Sequence, residues 1–132
     1  MTAQIGNGGY KIYPKIVVDD KKKIQPEDKY MPLYDNSKNI RIVKEAMFAS
    51  TNEVRGTSYK SRIDNPKYQF AGKTGTAQVK KITERDRELD LKTFEIPYEE
   101  RDHALYVAFG PYKNPRYALS IIVEHGGSGS TT

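Results

Sequence analysis

One stretch decides how this sequence is interpreted: residues 70–78, Phe-Ala-Gly-Lys-Thr-Gly-Thr-Ala-Gln. It places one lysine and two threonines among small residues and contains no run of strong helix formers. Threonine favours extended chain, because its branched side chain packs well on a pleated surface. We therefore predict extended chain over 68–79, with the lysine and the threonines as its chemically active side chains.

Gly72-Lys73-Thr74 also has the sequence that closes a phosphate-binding loop. That loop requires a glycine five residues before Gly72, where this chain has Lys67, and a helix after the threonine. Residues 76–79 instead favour a strand. Both requirements fail, so a nucleotide-binding loop is excluded here.

Downstream of this stretch, the sequence predicts a charged excursion and then a hairpin. Of the 23 residues in 80–102, 14 are charged, so this segment is too polar for a core. Within it we expect one short helix at 97–102, with Pro97 at its first position. Segments 104–109 and 117–123 are apolar and flank a turn dense in glycine and proline, which predicts two paired strands.

Upstream, the pattern predicts one longer helix and one strand. Ser37 suits a helix N-cap, and apolar or small residues follow at helical spacing, at Ile40, Val43, Met47 and Ser50. These residues predict a helix over 38–52. Residues 10–18 are rich in isoleucine and valine and predict a strand, interrupted by Pro14 in a way that suits an edge or a bulge.

The composition is that of one small, polar domain. The chain has 132 residues. Its apolar fraction is 36% when tyrosine is counted as apolar and glycine is not, and it is the same when glycine is counted and tyrosine is not. Ordinary globular chains have roughly 45–50%. Cysteine is absent, which excludes thiolate zinc sites and cysteine catalysis. The net charge of +5 permits an anionic partner, but both signs are interspersed along most of the chain, as on an ordinary solvated surface.

Five matches, in order along the chain, carry a family resemblance, and three of them consist of two short ranges each. They are residues 5–9 with 13–17, 47–57, 70–78, 102–105 with 109–112, and 114–115 with 123–127. Together they resemble class B penicillin-binding proteins, above all the elongation-type members. Residues 70–78 are the most specific of these matches, since they agree with the family's Lys-Thr-Gly strand over their whole length.

The resemblance implies a fold class of α/β (α+β) type. The chain would be the C-terminal part of a single transpeptidase domain, spanning residues 1–132, with mainly three antiparallel strands plus one longer helix. It would lack the N-terminal strands and helices and the C-terminal helix of that domain. The implied activity is that of a peptidoglycan D,D-transpeptidase, which cross-links stem peptides through an acyl-serine intermediate and is the target of β-lactams.

The resemblance also implies roles for four residues. Lys73 would supply positive potential, and the hydroxyls of Thr74 and Thr76 would bind a substrate carboxylate. The Thr76 N–H would be one donor of the oxyanion hole, and Gly75 would let the substrate approach the backbone closely. No cofactor and no metal is expected.

The family's nucleophile motif is missing, since no serine is followed by lysine three residues later. Residues 37–39 and 50–52 fit the family's Ser-x-Asn motif, but that motif lies well upstream of the Lys-Thr-Gly strand in the family, so we assign it to neither. We therefore expect the isolated chain to be inactive.

Expected partners of the parent protein are the peptidoglycan stem peptide and β-lactams, not nucleic acid. The parent would have a single N-terminal membrane anchor and act on the periplasmic side of the bacterial inner membrane. In the family the last strand is covered, so this chain is expected to self-associate through strand 117–124. The alternative is a small basic module that binds nucleic acid or protein, suggested by the net charge, the ten tyrosines and Lys21-Lys22-Lys23.

Overall fold

The computed structural model describes residues 1–14, 16–17, 31–81, 84 and 91–130. Within these residues a short helix α1 and a long helix α2 pack beside one antiparallel sheet. The elements are α1 (Thr2–Gly6), α2 (Ser37–Asn52), β1 (Ala71–Ala77), β2 (His103–Gly110) and β3 (Tyr117–Val123). The predicted arrangement of three antiparallel strands plus one longer helix is confirmed. None of the helices in this described part is long and apolar enough to cross a membrane.

The sheet has the order β1-β2-β3, so β2 is central and the other two strands are edges. On β1 the pairing runs without a shift from Ala71 opposite Phe109 to Ala77 opposite His103. The hairpin predicted over 104–109 and 117–123 is confirmed, with β2 and β3 each paired along their length. The predicted extended segment at 68–79 contains β1.

The core is small and lies where α2 meets the sheet. Its buried members are Met47 on α2, Ala71 on β1 and Phe109 on β2. Four half-buried side chains pack around them: Ile5, Phe48, Val107 and Tyr112. This limited core agrees with the polar composition, and it fixes α2 against the first two strands.

The predicted long helix is confirmed, but its predicted cap is wrong. Helix α2 spans Ser37–Asn52, and its N-cap is Asn36, whose Oδ1 accepts a hydrogen bond from the N–H of Lys38 at 2.9 Å. Ser37 is the first residue inside the helix. Asparagine caps as well as serine does, so the two neighbours could not be told apart by residue type.

The strand predicted over 10–18 is wrong wherever the structure describes that segment. Residues 10–14 and 16–17 contain only an isolated bridge between Tyr10 and Pro32. Ile16 and Val17 are exposed, so no sheet covers the β-branched side chains that favoured a strand. Val18 lies outside the described residues.

The two ends of the charged excursion over 80–102 are joined by a hydrogen bond and an ion pair. The N–H of Val79 donates to Asp102 Oδ1 at 3.0 Å, and Lys80 Nζ lies 2.6 Å from Glu100 Oε2. The predicted helix over 97–102 is reduced to a 3₁₀ turn at Tyr98–Glu100, with Pro97 just before it and not inside it. Residues 82–83 and 85–90 lie outside the described residues.

Candidate functional site

All four predicted site residues, Lys73 to Thr76, lie on β1 at one edge of the sheet. The strand is bonded to β2 on one side only, and no other described strand lies on the opposite side. Their partners on β2, in the same order, are Val107, Tyr106, Leu105 and Ala104. The site is therefore a free strand edge that carries one cation and two hydroxyls.

The backbone of β1 presents alternate residues to this free edge. The N–H of Gly72 donates to Thr51 Oγ1 of α2 at 3.0 Å and so points away from β2. In an antiparallel pair, residues alternate between facing the partner strand and facing away from it. Because the register is continuous, the N–H groups of Thr74 and Thr76 point away from β2 as well.

Lys73 is an exposed cation, and no carboxylate of the described residues pairs with it. Its Nζ donates to the carbonyl oxygen of Thr74 at 2.9 Å and approaches Thr74 Oγ1 at 3.3 Å. Among the described residues three ion pairs form, and none involves Lys73. Its charge is thus held at the strand edge without a counter-ion among the described residues, which favours an anionic ligand there.

Three hydroxyls form a row that ends at Thr74. Thr57 Oγ1 lies 3.0 Å from Thr74 Oγ1 and 3.2 Å from Ser50 Oγ. Ser50 belongs to the last turn of α2, and Thr57 follows a turn at Gly56. Thr57 is not among the site residues predicted from the sequence.

Beneath this row lies a second, buried group of hydroxyls. The side-chain oxygens of Thr51, Ser58 and Tyr106 lie 3.3 Å from one another. Thr51 is 0% exposed and Ser58 is 6% exposed. Because Thr51 also accepts from Gly72, this group fastens the end of α2 and the 53–58 loop to β1 and β2.

Two glycines of β1 have different surroundings. A Cβ on Gly72 would collide with the hydroxyl of Tyr106, so this position must be glycine for the buried hydroxyl group to form. A Cβ on Gly75 would contact only Leu105, with Cβ at 3.3 Å and Cδ1 at 3.7 Å. Gly129 of the C-terminal tail lies against the backbone of Gly75, where its own Cβ would be 2.5 Å from Gly75 O.

The remaining polar candidates are engaged elsewhere. Asn52 Nδ2 donates to the carbonyls of Phe48 and Phe70, at 3.0 and 2.9 Å, so this amide joins α2 to the chain before β1. His103 Nδ1 accepts from the N–H of His125 at 2.9 Å, beyond the Thr76 end of the site. Across the described ranges, no group of three or more His, Cys, Asp or Glu side chains is arranged to hold a metal.

Comparison with known proteins gives consistent matches. The family described as "Penicillin binding protein transpeptidase domain" matches residues 1–132. The chain is 42% identical over 91 residues to the Peptidoglycan D,D-transpeptidase MrdA of Salmonella typhimurium, covering 69% of this chain and 14% of that protein. It therefore spans about a seventh of the length of this curated relative.

Solved structures agree with this match. The crystal structure of Pseudomonas aeruginosa PBP2 in complex with WCK 5153 superposes with a TM-score of 0.67 at 32% identity, over 98% of this chain and 25% of that one. Helicobacter pylori PBP2, solved in a complex with MreC, gives a TM-score of 0.56 at 33% identity, over 76% of this chain and 17% of that one. The sequence and the fold are thus similar to the same group of proteins.

Proposed function

The chain belongs to the penicillin-binding protein transpeptidase family, and from this membership we propose that it supplies the ligand-binding strand of a peptidoglycan D,D-transpeptidase. The observation that carries the proposal is the free edge of β1. An ammonium with no described counter-ion, two threonine residues and outward N–H groups lie side by side there. An extended peptide can add to such an edge through main-chain hydrogen bonds.

We assign the roles along this edge as follows. A serine from a Ser-x-x-Lys motif, which this sequence lacks, attacks the carbonyl of the penultimate D-alanine, and the terminal D-alanine leaves. Lys73 attracts the terminal carboxylate, and the hydroxyls of Thr74 and Thr76 bond to it. The Thr76 N–H stabilises the oxyanion, and Gly75 leaves room for close approach. Loss of one oxyanion donor typically lowers the rate on the order of 10²–10³-fold.

The proposed partners and location follow from the family. The ligands are the peptidoglycan stem peptide and β-lactams, which acylate the same serine. The complete protein would act on the periplasmic side of the bacterial inner membrane, held by a single N-terminal anchor. The alternative of a basic binding module receives no comparable support, and Lys21-Lys22-Lys23 lie outside the described residues.

The test is acylation of the full-length protein that contains these residues. Wild-type protein should be labelled by a fluorescent penicillin, and Lys73→Ala should slow labelling strongly without unfolding the domain, because Lys73 is exposed and supports little packing. Lys113→Ala is the matched control, since it removes an equal charge from an exposed lysine on the β2–β3 connection. Equal labelling rates for wild type and Lys73→Ala would remove Lys73 from the site.

The isolated 132-residue chain provides the complementary measurement. It has no Ser-x-x-Lys motif, so it should form no covalent adduct with a penicillin. Intact mass spectrometry after incubation checks this, with the full-length protein as the positive control. A stable acyl form of the isolated chain would mean that a different nucleophile operates.

A further inference from the structure

We propose that Thr57 is a positioning residue: it holds the hydroxyl of Thr74 so that its proton is directed at an anionic ligand on the edge of β1. The inference rests on the proposed function, because it takes that ligand to be the carboxylate of a stem peptide or a β-lactam. It adds a residue outside β1, on the loop after α2, to the determinants of carboxylate recognition.

The distances place Thr57 in the middle of the hydroxyl row. Its Oγ1 lies 3.0 Å from Thr74 Oγ1 on one side and 3.2 Å from Ser50 Oγ on the other. Thr74 Oγ1 has a second neighbour, the ammonium of Lys73, at 3.3 Å. Thr74 therefore has two protein partners, one of which is a cation.

Counting donors identifies a direction of these hydrogen bonds that suits an anionic ligand. A hydroxyl has one hydrogen and two lone pairs, whereas an ammonium can only donate. When Lys73 and Thr57 both donate to Thr74 Oγ1, its two lone pairs are occupied and its own hydrogen remains for a ligand. Ser50 permits this direction, because its hydroxyl can donate to Thr57 in turn. The row then runs from Ser50 through Thr57 and Thr74 to the carboxylate.

The loop that carries Thr57 is fixed to the end of α2. The N–H and the hydroxyl of Ser58 both donate to the carbonyl of Ser50, each at 3.1 Å. A Cβ on Gly56 would collide with this same carbonyl, so only glycine allows the close turn. Ser58 is buried in the group formed with Thr51 and Tyr106. Thr57 is therefore held beside Thr74 by its neighbour and is not a freely moving surface side chain.

This arrangement predicts that loss of the Thr57 hydroxyl affects ligands with a free carboxylate more than their esters. Without the Thr57 hydroxyl, Thr74 can turn its hydrogen to other acceptors, and the carboxylate loses a directed donor. A hydrogen bond to a charged group is among the stronger ones in proteins, so we expect a loss of about ten-fold. A ligand whose carboxylate is masked as an ester carries no charge and accepts only a weaker hydrogen bond, so its rate should change much less.

The experiment measures acylation rate constants of the full-length protein with a β-lactam and with its methyl ester. Thr57→Val keeps the shape of the side chain and removes the hydroxyl, so the rate for the free acid should fall about ten-fold while the ester rate changes much less. Thr57→Ala should behave in the same way, and Thr57→Ser should restore the preference for the acid. Thr93→Val, at another exposed threonine, is the matched control.

The outcomes separate the inference from the proposed function. If wild type is acylated and Thr57→Val lowers both rates equally, or neither, Thr57 does not direct the Thr74 proton and the inference is wrong. If wild type is not acylated by the free acid at all, the proposed function fails and the inference fails with it. A loss that is much larger for the free acid than for the ester, and that serine reverses, supports both.

Discussion

Gly72 is a residue at which two requirements of the site meet. Its N–H donates to Thr51 Oγ1, and its lack of a Cβ leaves room for the hydroxyl of Tyr106. Gly72 thus helps to hold β1 against α2 and Tyr106, whereas Gly75 lies among the residues assigned to ligand binding. The two glycines of the same short motif have separable tasks.

Replacing Gly72 by alanine should destabilise the chain. The new methyl group would push Tyr106 out of the buried hydroxyl group, and such overpacking typically costs about 1–3 kcal/mol. Gly75→Ala is the matched control, because Leu105 needs to shift by only a small amount. Urea unfolding followed by circular dichroism measures both variants. A Gly72→Ala variant as stable as wild type would show that Tyr106 is not confined in this way.

The residues of the site differ in how far the sequence could reveal them. The common location of Lys73, Thr74 and Thr76 was predictable because they belong to one short motif, and the structure places them together on β1. Thr57 was not, because its contact with Thr74 spans 17 residues and a lone threonine in a polar loop has no distinguishing pattern. The Thr51–Tyr106 contact spans 55 residues and depends wholly on how α2 meets the sheet.

Among the secondary-structure elements, α2 is long, but its stability depends strongly on its N-cap. It has 16 residues, yet only Met47 and Thr51 are buried, so a single narrow face holds it to the sheet. Val43 of the predicted apolar stripe is exposed. With so little burial, the hydrogen bond from Lys38 to Asn36 contributes a large share of what fixes the start of the helix.

Asn36→Ala should therefore lower the free energy of unfolding by about 1 kcal/mol, the usual effect of removing an N-cap side chain. Ser37→Ala, at the residue that the sequence suggested as the cap, should change it by no more than about 0.5 kcal/mol, as is usual at exposed positions. Both variants are compared by urea unfolding of the same preparation. A larger effect at Ser37 than at Asn36 would contradict the observed cap.

The predictions of secondary structure failed where tertiary contacts determine whether a strand forms. The β-branched residues of 10–18 favour a strand, but a strand needs a neighbour, and Tyr10 forms only a bridge with Pro32. The hairpin of β2 and β3 was predictable because two apolar runs flank a strong turn signal, so both partners are adjacent in sequence. Pairing partners that are distant along the chain leave no such local signal.

On the scale of the whole molecule, β3 is a mostly apolar strand whose residues are all exposed, although α1 contacts it. Every residue from Tyr117 to Val123 is exposed, including Leu119 at 45%, Ile121 at 49% and Ile122 at 62%. Its outer edge has no strand beside it among the described residues. An exposed strand edge of this kind is a template for pairing with another chain.

We expect the isolated chain to self-associate through the strand at 117–124. Burying one Leu or Ile side chain fully is worth roughly 1.5–3 kcal/mol, and two copies contribute several partly exposed ones each. That gain is comparable with the estimated cost of association, about 4–15 kcal/mol, and pairing of the strand edges adds hydrogen bonds. Light scattering over a concentration series should therefore report a dimer or a larger assembly.

A lysine on the strand should prevent this association, because an edge charge opposes the addition of a second strand. Ile121→Lys should be monomeric, whereas Ile42→Lys, at an exposed isoleucine of α2, should associate like wild type. The full-length protein should not associate through β3, since we expect its remaining segments to cover that strand. A wild-type chain that stays monomeric at high concentration would show that an exposed β3 is not sufficient for pairing.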